Sequence, residues 1–208
     1  SPPLGGEGSG ERFPPGTVNV LLTVSESLSV TPFLSITPEQ GLPFSITLTK
    51  VADRMYAGSF MITDATPSGT AHAVFSARDV VGNRGTEIDQ GRTFMIDTDG
   101  PAITRLVIQP GQPIRNDQTA PVAVTVAIGL NEAVKPGEAP SLAYELSGTG
   151  RLPAPVANLV AVTPQSGEAQ AWQGSFTLPA DAGLNAVELL QFVYQGQDDL
   201  GNLSDQIL

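Results

Sequence analysis

The chain has 208 residues, of which 22 are glycine and 18 are proline, about 19 % of the total against a usual share of roughly 12 %. Charged residues make up 15 %, aromatic residues 6 %, and the formal net charge is −11. This composition disfavours helices and favours short strands joined by turns, while a hydrophobic share of 40 % argues against wholesale disorder. The acidic balance excludes nucleic acid as a partner, because phosphate backbones require clustered lysine and arginine.

Cysteine is absent, which excludes disulfides, thiolate metal sites and a cysteine nucleophile. No apolar run approaches the ~18–20 residues of a transmembrane helix, so we expect no membrane insertion in this segment. The chain opens on Ser1 rather than on methionine. We therefore expect it to be a piece of a longer polypeptide, with any signal peptide or anchor outside it.

The first predicted element is a tail or linker over residues 1–16, which are rich in glycine, proline and serine and carry no apolar period. After it, apolar and polar residues alternate in short segments bounded by glycine and proline. Alternation with a period of two predicts half-buried strands. The clearest runs are Val18, Val20, Leu22 and Val24; Phe44, Ile46 and Leu48; and Val122, Val124, Val126 and Ile128.

An internal repeat organises these strands. Three landmarks occur twice in the same order: a glutamate that ends an alternating strand, a Gly-Ser-Phe triplet, and an Asp-x-x-Gly-Asn turn. They are Glu26, Gly58–Phe60 and Asp79–Asn83 in the first copy, and Glu132, Gly174–Phe176 and Asp198–Asn202 in the second. The repeat predicts two domains, at 17–98 and 99–208, joined by a short crossing stiffened by Pro101.

These landmarks, together with Phe94-Met-Ile-Asp97-Thr98-Asp99-Gly100-Pro101 at the crossing, resemble the tandem bacterial immunoglobulin-like (Big-type) domains of large surface and adhesin proteins. The resemblance covers nearly everything from about residue 17 onward. It implies an all-β chain of two tandem immunoglobulin-like Greek-key β-sandwiches, in agreement with the alternation pattern. It also implies an extracellular or cell-surface location in a bacterium, with neighbouring domains of the same polypeptide as partners.

A candidate metal site follows from that topology. In an immunoglobulin-like domain, the loop after the second strand, the loop before the last strand and the incoming linker lie at one pole. This arrangement would gather Asp97, Asp99, Glu132 and Asp198, and such oxygen ligands suit Ca²⁺. The resemblance points to the same ion, since some tandem adhesin domains rigidify their junctions with calcium. The competing interpretation is that the Asp198 carboxylate only hydrogen-bonds within its own turn and Glu132 only ends a strand.

The sequence offers little for catalysis. The single histidine, His72, lies on a predicted strand with its side chain facing solvent, and no nucleophile-elbow pattern accompanies it. We therefore predict a non-catalytic spacer or stalk segment of a larger protein. The alternative is an adhesive or carbohydrate-binding accessory module that takes a glycan or protein ligand. It would need an exposed aromatic patch, for which Trp172 is the strongest candidate.

Overall fold

The computed structural model describes residues 11–117, 119–147, 153–180 and 187–208. Over these residues every regular element is a strand, and no helix is long and apolar enough to cross a membrane. The chain divides into two compact units, Ser1–Thr98 and Asp99–Leu208. Its strands form four sheets, two in each unit. The predicted all-β fold of two tandem immunoglobulin-like sandwiches is confirmed.

Unit 1 pairs a larger sheet with a three-stranded one. Its strands are β1 (Arg12–Phe13), β2 (Gly16–Thr23), β3 (Phe33–Pro38), β4 (Phe44–Ile46), β5 (Thr49–Ala52), β6 (Met55–Ile62), β7 (Gly69–Arg78), β8 (Arg84–Gly85) and β9 (Thr93–Ile96). The larger sheet has the order β1-β9-β7-β3-β4, with β8 also paired to β7, and the smaller has the order β2-β6-β5. Non-sequential neighbours in both sheets are typical of Greek-key connections.

The core of unit 1 is built from the alternating residues that the sequence singled out. Val18 and Val20 of β2 are buried, as is Phe60 directly opposite Val18 on β6. Phe94 of β9 packs edge-on against Phe13 with ring centroids 5.4 Å apart. Phe13 belongs to β1, inside the 1–16 segment predicted as a tail; residues 1–10 of that segment lie outside the described residues. A two-residue strand is too short to show alternation, so the sequence pattern could not predict it.

Unit 2 consists of two four-stranded sheets. Its strands are β10 (Ile103–Gln109), β11 (Val122–Leu130), β12 (Ser141–Leu146), β13 (Ala154–Pro155), β14 (Ala157–Val162), β15 (Gln170–Leu178), β16 (Leu190–Gln197) and β17 (Leu203–Ile207). The sheet orders are β10-β11-β15-β14 and β13-β12-β16-β17. Val124, Val126, Ile128 and Leu130 of β11 are all fully buried, so the alternating run forms one wall of this core.

The Gly-Ser-Phe triplet occupies the same place in both units. On β6, Gly58 pairs with Val20 of β2, and on β15, Gly174 pairs with Val126 of β11. This register makes Leu22 the counterpart of Ile128. The sequence repeat is therefore also a repeat of strand pairing, and it allows the two units to be compared position by position.

Candidate metal centre

The Asp-x-x-Gly-Asn turn of unit 2 is closed by the carboxylate of Asp198. Its Oδ1 accepts hydrogen bonds from the N–H of Leu200 at 2.9 Å and of Asn202 at 2.8 Å, and its Oδ2 accepts one from Asn202 Nδ2 at 2.9 Å. Asp198 is fully buried and Asn202 is 6 % exposed. The predicted turn chemistry is confirmed, but in a carboxylate held away from bulk solvent.

The equivalent turn of unit 1 has the same hydrogen bonds but is more exposed to solvent. Asp79 Oδ1 accepts from Val81 N–H at 2.9 Å and Asn83 N–H at 2.8 Å, and Oδ2 accepts from Asn83 Nδ2 at 2.8 Å. Partial burial opposes ionisation of Asp79, but the hydrogen bonds from the Asn83 side chain and from the turn N–H groups outweigh it and lower the pKa of this carboxyl. The two turns are thus a matched pair that differ in burial.

Glu132 is positioned by the end of β11. The residue before it, Asn131, donates its N–H to Ala102 O at 3.0 Å and accepts the Ala102 N–H on Oδ1 at 2.7 Å. These two bonds fix the start of the loop that carries the half-buried Glu132 side chain.

Asp97 follows β9 directly and continues its pairing. Its N–H donates to Phe13 O at 2.9 Å, and its carboxylate accepts a hydrogen bond from Arg12 Nε at 2.6 Å and also contacts the terminal guanidinium nitrogen. The Asp97 side chain is only 14 % exposed. Arg12 therefore places a positive charge beside a carboxylate that is largely removed from water.

Asp97, Glu132 and Asp198 each offer a carboxylate oxygen, and these three oxygens lie within 4.8 Å of one another. With Ca²⁺–oxygen distances of about 2.3–2.6 Å, two ligands on opposite sides of one ion are about 5 Å apart. The group can therefore hold a metal ion. These three are among the four predicted ligands, and Asp99 is not part of the group. That these residues bind a metal stays a prediction.

The charge of the group also favours a cation. Three carboxylates at this spacing repel one another, and burial strengthens the repulsion because water screens it less. All three donors are hard oxygens, which favour Ca²⁺ over the softer transition metals.

Two other predicted side chains behave differently from each other. His72 is exposed on β7 and its Nδ1 lies 3.3 Å from Thr93 Oγ1, as expected of a surface histidine. Trp172 is only 9 % exposed and its Nε1 donates to Gln170 Oε1 at 3.3 Å. Because Trp172 lies directly opposite Ile128 on the inner face of the sheet, it does not form the exposed aromatic patch that the alternative, carbohydrate-binding function would need.

Sequence reasoning missed two features. Arg12 lies in the 1–16 segment that is predicted to be a tail or linker, but its side chain pairs with Asp97. In unit 1, a cavity of about 620 Å³ lies between the end of β2 and residues 84–90. The signal for that cavity is that, within the described residues, no counterpart of β10 pairs with β2.

No protein-family model matches the chain, and no curated protein matches it. Among solved structures, it is similar to the crystal structure of a tetra-tandem repeat in the extending region of a large adhesion protein, with a TM-score of 0.34 and 17 % sequence identity. The match covers 96 % of this chain and 48 % of that one, so the chain spans about half the length of the solved repeat protein.

Proposed function

We propose that this chain is a non-catalytic spacer segment of a larger bacterial surface or extracellular protein, in which two β-sandwiches in series hold other domains apart. The observation that carries this proposal is that each unit has its own pair of sheets and its own hydrophobic core. A sandwich with a closed core resists extension along the chain without help from its neighbours, which is what a spacer requires.

The short connection between the units supports the same function. Asp97 is tied to unit 1 through its N–H bond to Phe13 O. Ala102 is tied to unit 2 through its two bonds to Asn131. Gly100 is also fixed, because a Cβ there would lie 2.6 Å from the carbonyl carbon of Leu203. Few residues therefore separate the last segment bonded to unit 1 from the first segment bonded to unit 2.

Calcium is the proposed stiffening ion. Asp97 belongs to the connection, whereas Glu132 and Asp198 belong to loops of unit 2, so one ion bound by all three would fasten the connection to that unit. Three carboxylates supply part of the six to eight oxygen ligands that Ca²⁺ takes, and waters would supply others. Extracellular calcium modules of this kind bind with dissociation constants of about 10⁻⁴–10⁻³ M.

Millimolar Ca²⁺ is expected to raise the melting temperature of the chain. With a dissociation constant of about 10⁻⁴ M, 5 mM Ca²⁺ stabilises the folded state by about 2 kcal/mol. The Glu132→Gln variant removes one ligand charge without touching the Asp198 turn and should lose most of the shift. Scanning calorimetry with Ca²⁺, with Mg²⁺ and with chelator measures it.

The matched control is Asp79→Asn, which alters the equivalent turn of unit 1 away from the three carboxylates. It should retain the full calcium shift, whereas Asp198→Asn should not. Equal melting curves with and without Ca²⁺ would show that calcium does not stabilise the chain. An equal loss of the calcium-induced shift in Asp79→Asn and Asp198→Asn would show that calcium does not act through the three carboxylates.

The spacer function itself predicts a narrow range of distances between the units. Because the chain contains no cysteine, spin labels can be attached to Gly85→Cys and Val160→Cys without further changes. The Val160 side chain is 56 % exposed. Electron–electron dipolar spectroscopy should give one distance population that narrows when Ca²⁺ is added. The same pair in the Glu132→Gln background should not narrow. A broad distribution that calcium leaves unchanged would count against a stiffened spacer.

A further inference from the structure

The cavity of unit 1 borders the open side of β2; we call it the edge cleft. It has a volume of about 620 Å³, and its apolar wall includes Leu22, Leu28, Phe75 and Ile88. Its rim is acidic, with the exposed Glu26 and Glu87. An apolar groove with an acidic rim is suited to an extended peptide that carries apolar side chains and a basic residue.

The main chain of β2 faces the edge cleft with unused hydrogen-bonding groups. Val24 N–H donates to Arg54 O on the β6 side, so alternation directs the N–H and C=O groups of Leu21 and Thr23 to the opposite side. Within the described part of the chain, no strand pairs with β2 on that side. Such an edge is a template for an added strand.

In unit 2, β10 occupies the equivalent edge. It runs antiparallel to β11, with Arg105 opposite Gly129 and Val107 opposite Ala127. By the register of the two triplets, Gly129 and Ala127 are the counterparts of Thr23 and Leu21. The edge that β10 covers in unit 2 is therefore the edge that borders the cleft in unit 1.

Equivalent apolar side chains of the two units differ in burial. Ile128 and Tyr194 of unit 2 are 0 % exposed and Val134 is 4 % exposed. Their counterparts in unit 1, Leu22, Phe75 and Leu28, are large and apolar but only partly buried, and all three line the edge cleft. Unit 1 thus retains the apolar side chains that β10 covers in unit 2.

The last strand of unit 1 widens the cleft. This strand is joined to β7 by the Ala73 N–H, which donates to Arg92 O. In unit 2 the equivalent Phe192 N–H donates to Leu208 O. Eight positions separate Arg84 from Arg92, but only five separate its counterpart Leu203 from Leu208. The extra residues carry the chain away from β7 between β8 and β9, and they form the far wall of the cleft.

We propose that the edge cleft binds an extended strand of another polypeptide, which pairs antiparallel with β2 and fills the place that β10 fills in unit 2. The occupant has the chemistry of residues 100–108: a Gly-Pro pair for close approach, then apolar residues facing the core, with a basic residue among them. In unit 2, Pro101 lies against Gly196, with its Cγ 3.1 Å from the position of an added Cβ. Main-chain pairing provides the affinity and the apolar pockets provide the specificity.

The test uses the full chain and a synthetic peptide with the sequence of residues 99–108, followed by amide hydrogen exchange in NMR. Without peptide, the amides of Leu21 and Thr23 should exchange much faster than those of Ala127 and Gly129. Saturating peptide should slow Leu21 and Thr23 at least tenfold and leave the other two unchanged. A control peptide with L106S and I108S should give no protection.

A chain variant provides a second control. Because the Thr23 N–H points away from β6, Thr23→Pro removes an edge donor without removing a bond to β6, and it should abolish the peptide effect. Three outcomes would overturn the proposal: Leu21 and Thr23 already as protected as Ala127 and Gly129 in the chain alone, no protection at millimolar peptide, or equal protection by both peptides.

Discussion

Alanine at Gly58 or Gly174 is expected to destabilise the unit that contains it by about 1–3 kcal/mol. A Cβ at Gly58 would lie 2.6 Å from Ile46 Cγ2 and 2.8 Å from Thr47 O; at Gly174 it would lie 2.8 Å from Val156 Cγ1 and 2.9 Å from Ala157 O. A side-chain methyl group can turn aside, but a main-chain oxygen can move only with its strand. The glycine of the repeated triplet is thus required because the preceding segment of the chain, at Thr47 or Ala157, passes close to its strand.

Urea unfolding followed by two signals separates the units. Trp172 is the only tryptophan and lies in unit 2, so its fluorescence reports that unit, whereas circular dichroism reports both. Gly174→Ala should shift the fluorescence transition and Gly58→Ala should not. Gly85→Ala is the control, because no heavy atom lies within 4 Å of the added Cβ. Alanine variants at 58 and 174 that were as stable as Gly85→Ala would refute this explanation of the repeat.

Gly196→Ala is expected to destabilise unit 2, and Tyr194→Phe in the same chain is expected to relieve part of the damage. An added Cβ at Gly196 would overlap the Tyr194 hydroxyl oxygen. That hydroxyl is buried without a hydrogen-bond partner in the described residues, and burial raises the pKa of Tyr194 to about 12. Tyr194→Phe alone therefore loses no hydrogen bond and should be neutral or stabilising.

A double-mutant cycle in urea measures the coupling. The double variant should be at least about 1 kcal/mol more stable than the two separate effects would predict when added, because removal of the hydroxyl removes the contact. Additive effects, or a Tyr194→Phe variant as unstable as one that has lost a hydrogen bond, would show that the hydroxyl and Gly196 do not interact as described.

The fold was predictable wherever a strand was long enough to alternate. The run from Val122 to Ile128 predicted one buried face: Val124, Val126 and Ile128 are fully buried, and Val122 is partly buried. The burial of Trp172 agrees with the register of the repeated triplet, which places it opposite Ile128. The strand β1 could not, because Arg12 and Phe13 owe their position to parallel pairing with β9, which leaves no local pattern.

The candidate site was predictable as a list of residues but not as a geometry. The turn motif located Asp198, and the repeat located Glu132. Which carboxylate of the connection joins them depends on where β9 ends: the pairing of β9 with β1 continues to Asp97, whose N–H bonds to Phe13 O. Asp99, two residues further along, is outside the group. The charge on Arg12 that offsets Asp97 comes from 85 positions away in the chain, a contact that no local motif encodes.

Single-molecule pulling from the two chain ends tests most directly whether two separate sandwiches lie in series. Each unit has its own core, so the account predicts two unfolding steps, with contour lengths of roughly 340 Å for unit 1 and roughly 390 Å for unit 2 at about 3.5 Å per residue. Calcium should raise the force of the longer step, because Glu132 and Asp198 belong to unit 2. A single step of roughly 730 Å, at about 3.5 Å per residue, would show one merged core and would contradict the account.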